Sequence, residues 1–180
     1  MHERRFKRPI EMLRNPDRVE RLEVERVVAI VLEGLVNPVS VLDVGMGSGL
    51  FAEAFAAKGL QVSGCDANPE MIQMAQSFVP KGIFKAGTAE ELPFNDEEFD
   101  LVFMGLVLHE TDDRAKAIQE AFRVTHKRLA VLEWPYLVQD FGPGLEERIP
   151  AQTVQAMGIQ AGFTQMTEYQ MKNLVLYLFE

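Results

Sequence analysis

The segment that most restricts this chain is Val41-Leu42-Asp43-Val44-Gly45-Met46-Gly47-Ser48-Gly49. A mostly apolar run leads into three alternating glycines, and a helical pattern follows over 48–58. Near-continuous apolar runs suit strands covered on both faces, and a buried strand entering a glycine turn that opens a helix belongs to a parallel α/β sheet. Glycines permit backbone angles that other residues resist and let a ligand approach the main chain. On its own the turn leaves its occupant open, because a dinucleotide, a flavin or no ligand at all is compatible with it.

The rest of the chain continues the alternation. Runs at 39–44, 60–65, 82–85, 99–104 and 127–133 predict strands, and the stretches 68–78 and 112–123 predict further helices between them. Before the first strand, Asn15 and Pro16 supply an N-cap and a first-turn proline. Val19, Leu22, Arg26, Val27, Ile30 and Val31 then form one largely apolar stripe. A single helix is expected there, ending near Gly34 or before Pro38. A last helix is expected over 151–161, then two runs, 163–169 and 173–179. The connection 170–172 is too short for a parallel crossover, so these runs pair as an antiparallel hairpin.

Three residues narrow the ligand. The nicotinamide fingerprint requires a third glycine where this chain has Leu50, which argues against a nicotinamide oxidoreductase. Asp43 lies two positions before the first glycine, where a carboxylate reaches an ammonium group and repels a pyrophosphate. Asp66 closes the next strand, placed to accept hydrogen bonds from ribose hydroxyls. Ribose and ammonium without phosphate describe an amino-acid nucleoside.

These residues, with Gly87-Thr88-Ala89-Glu90-Glu91-Leu92-Pro93-Phe94 and Phe99-Asp100-Leu101-Val102, resemble the class I S-adenosylmethionine-dependent methyltransferases. Within that family they are most similar to the branch that includes the ubiquinone and menaquinone biosynthesis methyltransferases. The resemblance runs from about Val39 to Leu132 and lies in the combination of motifs in order. It implies a Rossmann-like α/β sandwich with a seven-stranded, mostly parallel sheet, the last strand antiparallel, and helices on both faces. It also implies S-adenosyl-L-methionine as cofactor and S-adenosyl-L-homocysteine as product. Asp43, Gly45, Met46 and Gly47 would then meet the methionine portion, Asp66 the ribose, Ala67 and Met71 the adenine surroundings, and Thr88 and Ala89 the adenine edge. The family often has aspartate at the position of Thr88, so adenine binding here would lean more on Ala89 and apolar contacts.

Ligands of open α/β sheets bind beyond the carboxyl ends of the strands, which directs Met104 and Gly105 toward the transferred methyl group. His109 and Glu110 follow on that side. His109 is a candidate general base, although a histidine here is also common in the family as a structural or cofactor-neighbouring residue, and that reading is the favoured one. Trp134, Pro135, Tyr136 and Phe141 occupy the connection after the fifth strand, either as a small satellite core or as the wall of a substrate pocket. Glu133 and Tyr136 are the polar groups there suited to orienting a substrate, and Gly142-Pro143-Gly144 offers hinges.

The expected domain is single, over 1–180. It divides into an N-terminal arm and helix (1–37), a cofactor-binding core (38–133), a substrate-side loop (134–150) and a helix with terminal hairpin (151–180). A net charge of −9 opposes nucleic acid and anionic lipid, and the one basic patch, Arg4, Arg5, Lys7 and Arg8, reads as a solvated terminus. The single cysteine, Cys65, forms no internal disulfide and sits in an apolar strand, so it is expected to pack, in a reducing cytoplasm. His2 and His126 stand apart, and no spacing suggests a metal. The function expected is methyl transfer to a small molecule by in-line displacement. The alternatives are a module that binds the cofactor or its product without transfer, and a protein or RNA methyltransferase that needs a partner.

Overall fold

A computed structural model describes residues 10–180. The basic residues Arg4, Arg5, Lys7 and Arg8 lie outside them. A 3-10 turn, Ile10–Arg14, precedes α1 (Pro16–Leu22) and α2 (Val24–Leu32). The alternating core follows as β1 (Ser40–Val44), α3 (Leu50–Ala57), β2 (Gln61–Asp66), α4 (Pro69–Phe78), β3 (Ile83–Ala86) and β4 (Phe99–Gly105). The chain ends with α5 (Arg114–Val124), β5 (Thr125–Glu133), α6 (Ala151–Ala161), β6 (Met166–Gln170) and β7 (Val175–Phe179). The sheet order is β3-β2-β1-β4-β5-β7-β6, parallel from β3 to β5, with β7 antiparallel to both its neighbours. The predicted fold class is therefore the observed one. Among the described residues, no helix is long and apolar enough to cross a membrane.

Strand alternation divides the core in two. Val41, Leu101, Phe103, Ala130 and Leu132 pack on one side with Val27, Val28 and Val31 of α2 and Phe51 and Phe55 of α3. Leu42, Val44, Val102, Met104, Leu129 and Val131 pack on the other with Ile118 and Ala121 of α5 and Val154 of α6. Both faces of β1 and β4 are thus buried, which is why their sequences run apolar without a polar alternation.

The expected single N-terminal helix is two. Glu23 takes a left-handed conformation (φ 47°) between α1 and α2. Such a backbone costs a non-glycine residue roughly 1–2 kcal/mol. Here the Glu23 carboxylate accepts from Arg26 Nη1 at 2.8 Å and from the Lys172 N–H at 2.6 Å, tying the break to the β6–β7 turn. The bend lets Leu22 and Val24, on either side of it, both be buried. A stripe that looks continuous at helical spacing does not disclose this.

The sheet order reverses between β1 and β4: β2 and β3 lie on one side of β1, and β4 and β5 on the other. A crevice at such a switch, beyond the carboxyl ends of the strands, is where open α/β sheets bind ligands. The glycine turn after β1 and the turn 105–111 after β4 border it.

Candidate functional site

The glycine turn is shaped as much by packing as by ligand access. Gly45, Gly47 and Gly49 all have positive φ (63°, 52° and 73°). A Cβ at Gly45 would collide with the Val107 side chain, and one at Gly49 would lie 2.9 Å from Ala75 Cβ. These glycines thus bring the turn against the β4 loop and against α4. The N–H of Gly45 donates to the Cys65 carbonyl at 2.8 Å, which fixes the turn to β2. From the N-terminal side Leu13 lies over Gly47. Arg14 donates to the Ser48 carbonyl at 2.9 Å, pairs with Glu53 at 2.6 Å and lies 3.3 Å over the Phe78 ring.

The two acids named from the sequence flank this turn differently. Asp43 is 2% exposed, and its Oδ2 is buried with no hydrogen-bond partner. Burial above all pushes its carboxyl up to about 8; the Ala52 N–H opposes the rise and the charge of Asp66 adds to it. Buried carboxylates normally find partners, so an orphaned oxygen beside a ligand crevice calls for a donor from outside the chain. A cationic ammonium supplies the missing bond and favours the ionised form that burial opposes, and the site residues therefore fit the cofactor's amino-acid end.

Asp66 accepts from the Gly47 N–H at 2.9 Å through Oδ2 and from the Asn68 N–H at 2.8 Å through Oδ1. It braces the glycine turn against Asn68, which itself caps α4 by accepting from the Glu70 N–H at 3.0 Å. A carboxylate oxygen has a second lone pair, so this brace leaves capacity for ribose hydroxyls. Around the same edge Met71 and Ala89 are buried, Ala67 and Thr88 are exposed, and Thr88 is bridged to Glu91. Met46 and Met104 are core side chains, the latter fully buried, so at Met104 only the main chain and Gly105 reach the strand end.

On the far side of the crevice His109 is 8% exposed and held by Glu133. Both its N–H (3.1 Å to Oε1) and its Nδ1 (2.9 Å to Oε2) meet the Glu133 carboxylate, which also accepts from the Trp134 N–H at 3.2 Å. Desolvation alone would lower the imidazole, yet the Glu133 charge and hydrogen bond outweigh it, with Glu110 and Glu147 assisting, and hold it above its ordinary value. Burial pushes the Glu110 carboxyl up to about 7. Glu133, expected to orient a substrate, is itself 2% exposed and engaged with His109 and backbone.

The loop 134–150 adds Trp134 and Phe141 to the core on the α2–α3 side of the sheet and leaves an exposed rim. Trp134 is buried against Phe141 (5.9 Å), with Arg21 of α1 4.6 Å over Phe141. Tyr136 is exposed, together with Leu137 and Val138. The expected glycine hinges are tied down: Gly142 is pressed on the Trp134 ring, and the buried Arg148 donates to the carbonyls of Phe141 and Pro143. Arg148 also holds the carbonyls of Pro135 and Leu137 and the Gln139 side chain. Nothing at the sequence level distinguishes this arginine from a surface one, and the pairing of Glu133 with His109 is equally silent there.

Comparison with known proteins agrees with the geometry. The methyltransferase domain family matches residues 42–129. A demethylmenaquinone methyltransferase of Thermotoga maritima is 34% identical over 113 residues, 61% of this chain and 48% of that one. A malonyl-[acyl-carrier protein] O-methyltransferase of Erwinia billingiae is 36% identical over 85 residues, 47% of this chain and 34% of that one. The chain spans about half the length or less of these curated relatives. The crystal structure of a SAM-dependent methyltransferase from Aquifex aeolicus superposes with a TM-score of 0.80 at 25% identity, covering 94% of this chain and 95% of that one.

Proposed function

We propose that this chain, whose residues 42–129 match the methyltransferase domain family, is a class I methyltransferase that transfers a methyl group from S-adenosylmethionine to a small molecule. The observation that carries the reading is the buried, unpartnered Asp43 oxygen beside the glycine turn. Asp43 and the turn Gly45-Met46-Gly47 would hold the methionine portion, Asp66 the ribose, Met71 and Ala67 the adenine face, and Thr88 and Ala89 its edge. When bound, the cofactor supplies a methyl group already activated by a positive sulfur. The chain's own share is positioning, exclusion of water and management of charge. Gly105 and the His109–Glu133 pair lie at the ends of β4 and β5, where an acceptor would meet the methyl group.

A small acceptor is supported by the net charge of −9 and by the acids Asp66, Glu110, Glu133 and Glu147 around the crevice, which oppose a polyanionic substrate. Two curated relatives carry names for two different acceptors, a demethylmenaquinone and a malonyl-[acyl-carrier protein], so likeness in the shared segment does not single out one acceptor. Titration calorimetry tests the reading: S-adenosylhomocysteine should bind with micromolar affinity and NAD weakly, and the reverse preference would refute it. Methylated product from a screen of acceptors separates the enzyme from a module that only binds the cofactor.

A further inference from the structure

The turn after β4 is gripped at two points by one side chain, since Glu133 accepts from both the His109 N–H and the imidazole Nδ1. This sets the ring: Nδ1 carries the proton that the carboxylate accepts, and Nε2 faces Glu110 Oε1 at 3.8 Å. Exposure rises along the row, from 3% for the Glu133 side chain to 10% for His109 and 32% for Glu110. The most accessible member of the row is thus a carboxylate and not the imidazole. Glu110 lies in the fields of Asp66 at the end of β2 and of Glu147 in the loop 134–150, besides those of His109 and Glu133. Glu110 stands in the short turn Leu108–Glu110 that follows β4 and borders the crevice. The nearby cation Arg114 is turned to backbone, donating to the carbonyls of His109 at 3.4 Å and Glu147 at 3.0 Å.

We propose that Glu110 takes the proton from the methyl acceptor, with His109 and Glu133 as positioning residues behind it. The proposal rests on the methyltransferase reading and specifies the acceptor class: a molecule whose nucleophilic atom carries a proton at neutral pH. As that atom bonds to the methyl carbon, the carbon–sulfur pair returns to sulfur. The X–H pair stays on the nucleophile and the proton adds to the Glu110 carboxylate. A carboxyl pushed up to about 7 is divided near neutral pH between its two forms and is a stronger base than an ordinary glutamate. Glu133 favours the charged form of His109, and the charge of that ring opposes the rise at Glu110.

The test needs no acceptor. S-adenosylmethionine carries a sulfonium charge that S-adenosylhomocysteine lacks, and a Glu110 facing the reacting centre responds to it by losing its proton. Calorimetry near pH 7 in buffers of different ionisation heat should show roughly 0.3 to 0.5 proton more released by the sulfonium ligand, from a downward shift of about one unit. Glu110→Gln should bind both ligands and abolish the difference, and His109→Gln should retain it. Equal release from the parent protein overturns the proposal, as does a difference that survives Glu110→Gln and disappears in His109→Gln. For the positioning role, Glu133→Gln should lower the titration midpoint of the His109 ring in nitrogen NMR, and an unchanged midpoint refutes it. Failure of the parent to bind either ligand would instead remove the methyltransferase reading on which the proposal stands.

Discussion

Replacing Asp43 by asparagine should stabilise the ligand-free protein and weaken its cofactor site. The folded carboxyl is pushed up to about 8 from an ordinary 3.8, so near neutral pH it stays protonated in the fold and would ionise on unfolding. Holding a proton about three pH units above the ordinary value costs on the order of 4 kcal/mol, at 1.36 kcal/mol per unit. An amide is neutral throughout and escapes that cost, but it brings N–H donors into a buried place, which costs roughly 1–3 kcal/mol when they go unpaired. The net gain is then about 1–3 kcal/mol, or roughly 2–12 °C in melting temperature for a chain of this size. The sign with pH follows from the raised value: the parent's stability from this group is complete below the ordinary range and is lost as pH rises toward about 8. The variant's advantage should therefore grow from about pH 4 to about pH 8 and then level off. Loss of a bond between a carboxylate and an ammonium should weaken S-adenosylhomocysteine binding by roughly 10- to 150-fold. Thermal melts across that pH range and calorimetry measure both. A variant that melts lower than its parent at pH 8, or binds equally well, would refute the reasoning.

Asp66→Ala should weaken S-adenosylhomocysteine binding by a similar factor. It should also lower the ligand-free melting point by roughly 1–2 kcal/mol equivalent, because the N–H groups of Gly47 and Asn68 lose their acceptor. An unchanged melting point would show that water replaces the carboxylate there. Arg148→Met should destabilise the protein by roughly 2–4 kcal/mol and open the loop 134–150 to limited proteolysis, since four carbonyls lose a shared donor; a loop equally resistant in both proteins would contradict this. Denaturant titrations of the ligand-free protein should show these raised groups withdrawing stability from about pH 4 to about pH 8. Asp43, Glu110 and His109 all hold protons more tightly folded than unfolded. On the acid side Glu23, Asp100 and Glu120 are held below their ordinary range by hydrogen bonds, so stability falls again as they protonate. A maximum above pH 8 would reverse these signs.

The elements that were legible in the sequence are those set by local pattern. The strand Val41–Val44, the glycine turn and the hairpin 163–179 follow from apolar periodicity, backbone freedom and connection length, each a property of neighbouring residues. Asp43 and Asp66 were legible because their offsets from the turn place them at strand ends. Glu23, Glu133 and Arg148 were not, since each acts on groups brought close only by the fold: the Lys172 N–H, the His109 ring and a set of loop carbonyls. A charged residue that satisfies backbone atoms leaves no periodic trace, and its pattern matches that of a solvated one. By the same limit Glu133 reads in the sequence as a substrate-orienting group, whereas its carboxylate is engaged by His109 and the Trp134 N–H inside the protein.

The distribution of these charges separates two tasks at one sheet edge. Asp100, at the opposite end of β4, accepts from the Val39 N–H at 2.7 Å and pairs with Lys127 at 2.8 Å, and its carboxyl is held low. Asp43 and Glu110 are raised chiefly by burial, Asp43 with an oxygen left unpartnered and Glu110 with a single weak counter-charge 3.8 Å away. Acids that only hold a fold together gain by being paired, as Asp100 is. Acids kept short of partners in a crevice cost stability in the empty protein and recover it when a cation arrives, which couples cofactor binding to folding in the direction expected of a functional site. Asp66 belongs to both groups, since its carboxylate braces the turn at the strand end where the ribose is proposed to lie, and for that reason its removal should weaken binding and stability together.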